Sequence, residues 1–168
     1  ALKAEIKENK PVFGKVDLDN YLQQILDQSK PEEELDSEVQ IFQNALGFSD
    51  VKARECMVPR TEIVAIEINA EISDLKSKFI ETGLSKILVY KDNIDNIIGY
   101  TKSFDLFRKP DILKNIVIPI SIVPETMPAN ETLDIFINKK KGIAVVVDEF
   151  GGTSGMITLE DLVEEIFG

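Results

Sequence analysis

From about Met57 onward the apolar positions fall into short β-branched runs separated by single helical stripes. TEIVAIEI, from Thr61 to Ile68, reads as a strand. Ile72, Leu75 and Phe79 then recur at helical spacing, with Gly83 placed as a stop. KILVY and NIIGY read as two strands around the polar turn KDNIDN, and FDLF opens a further helix that ends near Pro110. The order then returns. ISIVPE reads as a strand, and NETLDIFINKKKG as a helix capped by Asn130 and stopped by Gly142. IAVVV and SGMI form a pair around the turn DEFGGT, and LEDLVEEIF closes as a helix.

The chain therefore carries an internal repeat of β-α-β-β-α type. Its register is checked by GYTKSFD and GMITLED, where Gly99 to Gly155 and Asp105 to Asp161 are both steps of 56 positions. One such unit has few apolar positions, so two copies packed sheet to sheet is the physical expectation. A pseudo-twofold pair also creates clefts between its halves, where ligand pockets favour such interfaces.

The front of the chain has a different pattern. Residues 1–16 are mixed and charged, with Pro11 and Gly14, and read as a tail or linker. DLDNYLQQILDQ places Leu18, Tyr21, Leu22, Ile25 and Leu26 at helical spacing. A second helix from Glu33 carries Leu35, Val39, Phe42 and Leu46 up to Gly47, and a third starts at Ser49. The expected organisation is a tail over 1–16, a helical lead-in over 17–56, and repeats over 57–115 and 116–168.

Composition narrows the function classes. A net charge of −11 argues against a nucleic-acid partner, because phosphate neutralisation needs clustered Lys and Arg. There is no histidine, which removes the commonest general base and zinc ligand. With no nucleophile-and-base spacing and no P-loop, the sequence points away from an enzyme. The one cysteine, Cys56, allows no internal disulfide and reads as inert packing. No apolar run approaches the roughly 20 residues of a membrane span. The start at Ala1 and the missing spans fit an excised part of a longer protein.

The candidate chemistry lies in GMITLED. A strand end, a turn and a helix start offer free N–H groups and a dipole that favour an anion such as phosphate. The Thr158 hydroxyl can donate to a phosphate oxygen, Asp161 can accept from ribose hydroxyls, and Gly155 lets a backbone approach closely. The same Thr-x-x-Asp spacing is also a plain helix-capping pattern that needs no ligand. Arg60 can reach a phosphate or an interface carboxylate. Lys139, Lys140 and Lys141 read as a solvated helix end, DEFGGT as a hairpin turn rather than a metal loop, and Phe150 as an exposed apolar contact.

The two halves resemble a tandem pair of CBS domains, whose last motif has Gly, two hydrophobics, Ser or Thr, two variable residues and Asp. GMITLED matches in full, whereas GYTKSFD places Lys102 where the hydroxyl is expected. MVPRTEIVAIE, SKILVYKDNIDNIIGY and VVDEFGGTSGMITLEDLVEEIFG further resemble the CBS pair of the CorC/HlyC hemolysin-related proteins, relatives of the CNNM magnesium transporters.

The resemblance implies an α+β fold: two β-α-β-β-α repeats packed with pseudo-twofold symmetry, preceded by a helical lead-in. It implies a regulatory module that binds an adenine nucleotide, ATP or AMP, with Mg²⁺ as a companion ion in the ATP case. The implied nucleotide contacts are Thr61, Glu62, Ile63, Ile143, Ala144, Val145, Thr158 and Asp161. A secondary set in the first copy is Ser85, Lys86, Ile87, Asp105, Val123 and Pro124. No metal ligand or catalytic residue is implied. The implied partners are a second copy and a transmembrane domain of the same protein, at the cytosolic face of the inner (plasma) membrane, in divalent cation transport or efflux. The alternatives are a structural dimerisation module with no ligand and a gliding-motility homologue.

Overall fold

The computed structural model describes Gln40, Asn44, Ala45 and Gly47–Phe167. The chain divides into Phe48–Glu165 and a second unit of Ala1–Gly47 with Ile166–Gly168. Of the helices expected over 17–28 and from Glu33, only Gln40, Asn44, Ala45 and Gly47 are described, and all four are helical. The remainder of both helices lies outside the described residues. In place of a helix from Ser49, a turn leads into α1 (Ala53–Cys56).

After α1 the order is β1 (Val58–Pro59), a 3-10 turn (Arg60–Glu62), β2 (Ala65–Glu67), α2 (Ile72–Thr82), β3 (Lys86–Lys91) and β4 (Asn93–Lys102). Two 3-10 turns follow, Ser103–Arg108 and Leu113–Ile116. The second repeat comprises β5 (Ser121–Pro124), α3 (Ala129–Lys139), β6 (Ile143–Val147), β7 (Thr153–Thr158) and α4 (Leu159–Phe167). One sheet has the order β2-β3-β4 and the other β1-β7-β6-β5. In each repeat the first strand runs parallel to the middle one, and the middle one antiparallel to the last.

The repeat holds residue by residue. Ala65 lies opposite Leu88 as Ile122 lies opposite Val145, and Leu88 opposite Tyr100 as Val145 opposite Met156. The step between copies is thus 57 positions up to the hairpin and 56 after it, so the hairpins differ by one residue. The sheets face each other through Leu88, Ile97 and Tyr100 from the first and Ile143 and Val145 from the second. A separate core joins Ile66, Leu75, Phe79, Ile87, Val89 and Leu113 between the first sheet and α2.

Four local expectations are corrected. TEIVAIEI is a strand only over Ala65–Glu67. Pro59 ends β1, and Thr61 and Glu62 lie in the 3-10 turn that follows. FDLF lies in the six-residue 3-10 turn Ser103–Arg108 instead of an α-helix, ended by Lys109 at φ 50° just before Pro110. α3 begins at Ala129 after Pro128 rather than from an Asn130 cap. It ends at Lys140, φ 54°, where the other copy has Gly83 at φ 66°. Gly142 is not the stop; its carbonyl accepts from Leu159 N at 2.9 Å.

The copies also exchange their entering segments. Val58 and Pro59, ahead of the first repeat, pair with Met156 and Gly155 of the second. Ile118, ahead of the second repeat, pairs with Tyr100 of the first, with N–H to O distances of 2.8 and 2.9 Å. Gly99 and Gly155 make this possible. A Cβ on Gly99 would collide with the Ile118 carbonyl oxygen, and one on Gly155 with that of Val58. The close approach expected at Gly155 is therefore made by the chain's own backbone.

Candidate functional site

At the end of β7 the backbone turns directly into α4. Thr158 N and Thr158 Oγ1 both donate to Asp161 Oδ2, at 2.8 and 2.9 Å, and Asp161 N donates back to Thr158 Oγ1 at 3.3 Å. This is a capping interaction with reciprocal bonds, and it satisfies part of the helix N-terminus. Both residues are half-buried. Thr158 lies opposite Ile143 at the head of β6. The structure therefore brings Thr158, Asp161 and Ile143 to one strand end, with Ala144 and Val145 following as buried residues of β6.

Ile63 packs into the same inter-sheet core as Ile143 and Val145. Thr61 and Glu62 are exposed in their turn, and no hydrogen bond or ion pair among the described residues joins either to Thr158 or Asp161. Arg60, which opens that turn, pairs with the Asp95 carboxylate through both Nη atoms and donates from Nη1 to the Thr153 carbonyl at 3.1 Å. Of the two partners left open for Arg60, the interface carboxylate is the one it meets. The Arg60 bond, then the Thr153 amide, hold the Asp95 carboxyl below its ordinary range.

The first copy is built differently. Lys102 offers no capping hydroxyl, and no side-chain cap is formed. Asp105 lies in the 3-10 turn, 3.9 Å from Arg108 Nε. Burial and then the Asp105 charge raise the Tyr100 hydroxyl above its ordinary range. Ser85 is exposed, its carbonyl accepting from Ser103 N at 3.0 Å; Lys86 is half-buried and Ile87 buried. Val123 is buried on β5 and Pro124 is exposed beside it.

Around α4 the field is acidic. Cys56 is half-buried, and its thiol is pushed up to about 11 by burial and then by Glu165, Glu55 and Asp161. Such a thiol is a poor nucleophile. Among the described residues no cluster of three His, Cys, Asp or Glu is placed to hold a metal ion. No helix among them is long and apolar enough to cross a membrane.

Among the described residues two pockets lie in the first repeat, and neither is lined by any of the expected nucleotide contacts. One of about 510 Å³ lies between Ile68–Ser73 and Asp111–Lys114. The other, about 720 Å³, is an apolar groove between α2 and the 3-10 turn, edged by Ile80, Leu84 and Phe107. Residues that the sequence reading missed are Asp95 and Thr153. Asp95 lies in the stretch KDNIDN, which reads as a polar turn, so nothing in the sequence set it apart.

The family model for the CBS domain matches residues 109–168. The UPF0053 protein YugS of Bacillus subtilis is 32% identical over 97% of this chain and 38% of its own length. The chain spans less than two thirds of the curated relatives it matches. The solved CBS domain of a bacterial CNNM/CorC family Mg²⁺ transporter superposes with a TM-score of 0.81 at 33% identity, covering 92% of this chain and 96% of that one. The corresponding structure in complex with ATP gives 0.75 at 37% identity, over 82% and 99%.

Proposed function

Because this chain belongs to the CBS-domain family of hemolysin-related CNNM/CorC proteins, we propose that it is a regulatory module that binds an adenine nucleotide in the second-copy cleft. The observation that carries this reading is the Thr158–Asp161 pair at the head of α4, in a chain similar to one solved with ATP. In this reading Thr158 turns its hydroxyl to phosphate, Asp161 accepts from ribose hydroxyls, and Ile63, Ile143, Ala144 and Val145 supply apolar and main-chain contact. Thr61 and Glu62 close the site from their turn. The first-copy set of Ser85, Lys86, Ile87, Asp105, Val123 and Pro124 lacks the hydroxyl and the α-helix start, so it is the weaker cleft.

The module performs no chemistry of its own. Bound nucleotide favours one arrangement of the repeats, and can do so only by its differential affinity for the two states. A dimer of such modules would relay that preference to an attached membrane domain concerned with divalent cations. ATP would bring Mg²⁺ with it, which lessens repulsion from a chain of net charge −11. A ligand-free structural dimerisation module is the second reading; the capping pair, already satisfied within itself, favours it.

Calorimetric titration with ATP and AMP, with and without Mg²⁺, tests the proposal. Saturable binding that is lost in Asp161→Ala supports it. No heat from a folded dimer leaves the structural reading.

A further inference from the structure

β1 stops at Pro59, opposite Gly155 and two residues short of the start of β7 at Thr153. At that uncovered start the N–H and C=O of Thr153 would otherwise be orphaned, since Thr153 is only 3% exposed. Side chains of the first repeat take both. Thr153 N donates to Asp95 Oδ1 at 3.0 Å, and Arg60 Nη1 donates to Thr153 O at 3.1 Å. The Thr153 hydroxyl adds a third bond to the Ile94 carbonyl at 2.9 Å. Arg60 and Asp95 then close the ring by pairing with each other. The other copy has no counterpart: Gly151 stands in the place of Asp95 after the hairpin, and Ile120 in that of Arg60 by the Val58–Ile118 correspondence.

We propose that Arg60, Asp95 and Thr153 form a one-sided clasp between the repeats that holds the Arg60–Ile63 turn, whose Ile63 packs with Ile143 and Val145 of the second-copy cleft. Arg60 and Asp95 are positioning residues: they set the affinity of the cleft without touching the nucleotide. This rests on the nucleotide-binding reading above. The competing role, Arg60 as a direct phosphate contact, makes an opposite prediction. If Asp95 merely sequesters a phosphate-binding guanidinium, Asp95→Asn frees Arg60 and leaves ATP binding unchanged or tighter. If the pair is a clasp, Asp95→Asn and Arg60→Gln both loosen the turn. Both then weaken ATP and adenosine by the same factor, roughly three- to tenfold for a coupled contact pair.

The experiment is titration of the parent, Asp95→Asn, Arg60→Gln and the double variant with ATP and with adenosine. Amide exchange at Thr153 is followed in the same proteins without ligand. Equal losses for both ligands, a double variant no worse than either single one, and faster Thr153 exchange are expected. Loss confined to ATP in Arg60→Gln, or tighter ATP binding in Asp95→Asn, overturns the clasp. Thr153 exchange unchanged in both single variants overturns it too. The exchange arm needs no nucleotide, so absence of binding by the parent sinks the nucleotide reading and leaves the clasp judged separately.

Discussion

The Thr158 hydroxyl and the Asp161 carboxylate satisfy each other across the first turn of α4, at 2.9 Å. A phosphate that accepts from the Thr158 hydroxyl must therefore displace its bond to Asp161 Oδ2, whereas a ribose hydroxyl can donate to Asp161 Oδ1, which the cap does not use. This couples the site to helix stability and makes the two separable by substitution. Thr158→Ser keeps the hydroxyl and should keep both cap and affinity. Thr158→Val removes the acceptor for Asp161 N and should cost about 1 kcal/mol of stability, as for other lost caps. If the hydroxyl also contacts phosphate, Thr158→Val weakens ATP about tenfold beyond that and leaves adenosine nearly unchanged. Denaturant melts and paired titrations read the two effects independently.

The paired glycines beneath the exchanged strands give a prediction about folding alone. A Cβ at Gly155 meets Met57 Sδ at 2.8 Å as well as the Val58 carbonyl, and one at Gly99 meets Val117 and Ile118. A carbonyl on a paired strand cannot swing aside, so Gly99→Ala and Gly155→Ala should each cost about 2 kcal/mol or more, the range of overpacked cores. A thermal melt that leaves either variant near the parent midpoint would mean that the entering segments shift freely. That would remove the strand exchange as a constraint.

What was legible in the sequence followed from local periodicity. The apolar runs KILVY and IAVVV, the stripe Leu75–Phe79 and the matched Gly and Asp spacing all describe neighbours in the chain, and the sheets and both copies follow from them. What was not legible depends on distant partners. TEIVAIEI has strand propensity throughout, but Pro59 releases β1 and the Arg60 side chain is drawn to Asp95, 35 positions away. FDLF has helical spacing, but Lys109 and Pro110 close the turn before an α-helix can extend. Thr158 was legible as a cap, and the cap is formed; the binding role proposed for it asks for the same atom.

Lys140 offers a stabilising substitution. It ends α3 in the left-handed region at φ 54°, where a side chain is strained and the equivalent residue in the first copy is Gly83. Lys140→Gly should raise stability by about 0.5–1 kcal/mol, since the relief of strain outweighs the greater freedom of glycine in the unfolded chain. The reverse exchange, Gly83→Lys, should lower it by a similar amount. A pair of melts that moved in the same direction would show that something other than backbone conformation governs these helix ends.

Cys56 predicts a pH dependence whose sign follows from its surroundings. Burial, then Glu165, Glu55 and Asp161, raise its thiol from 9.0 to about 11 in the folded protein. The folded state thus holds this proton more tightly than the unfolded state. Its contribution to stability is fully present below pH 9 and is lost as pH rises from about 9 through 11. Cys56→Ala replaces the thiol with a group that does not titrate, so the parent should lose stability relative to this variant only in that alkaline window. Labelling by a thiol reagent at pH 8 should correspondingly be much slower in the folded chain than in denaturant, because the thiolate is the reacting species. Rapid labelling of the folded protein, together with parallel stability curves for the two proteins up to pH 11, would mean that α4 and its acidic residues do not lie against α1 in solution.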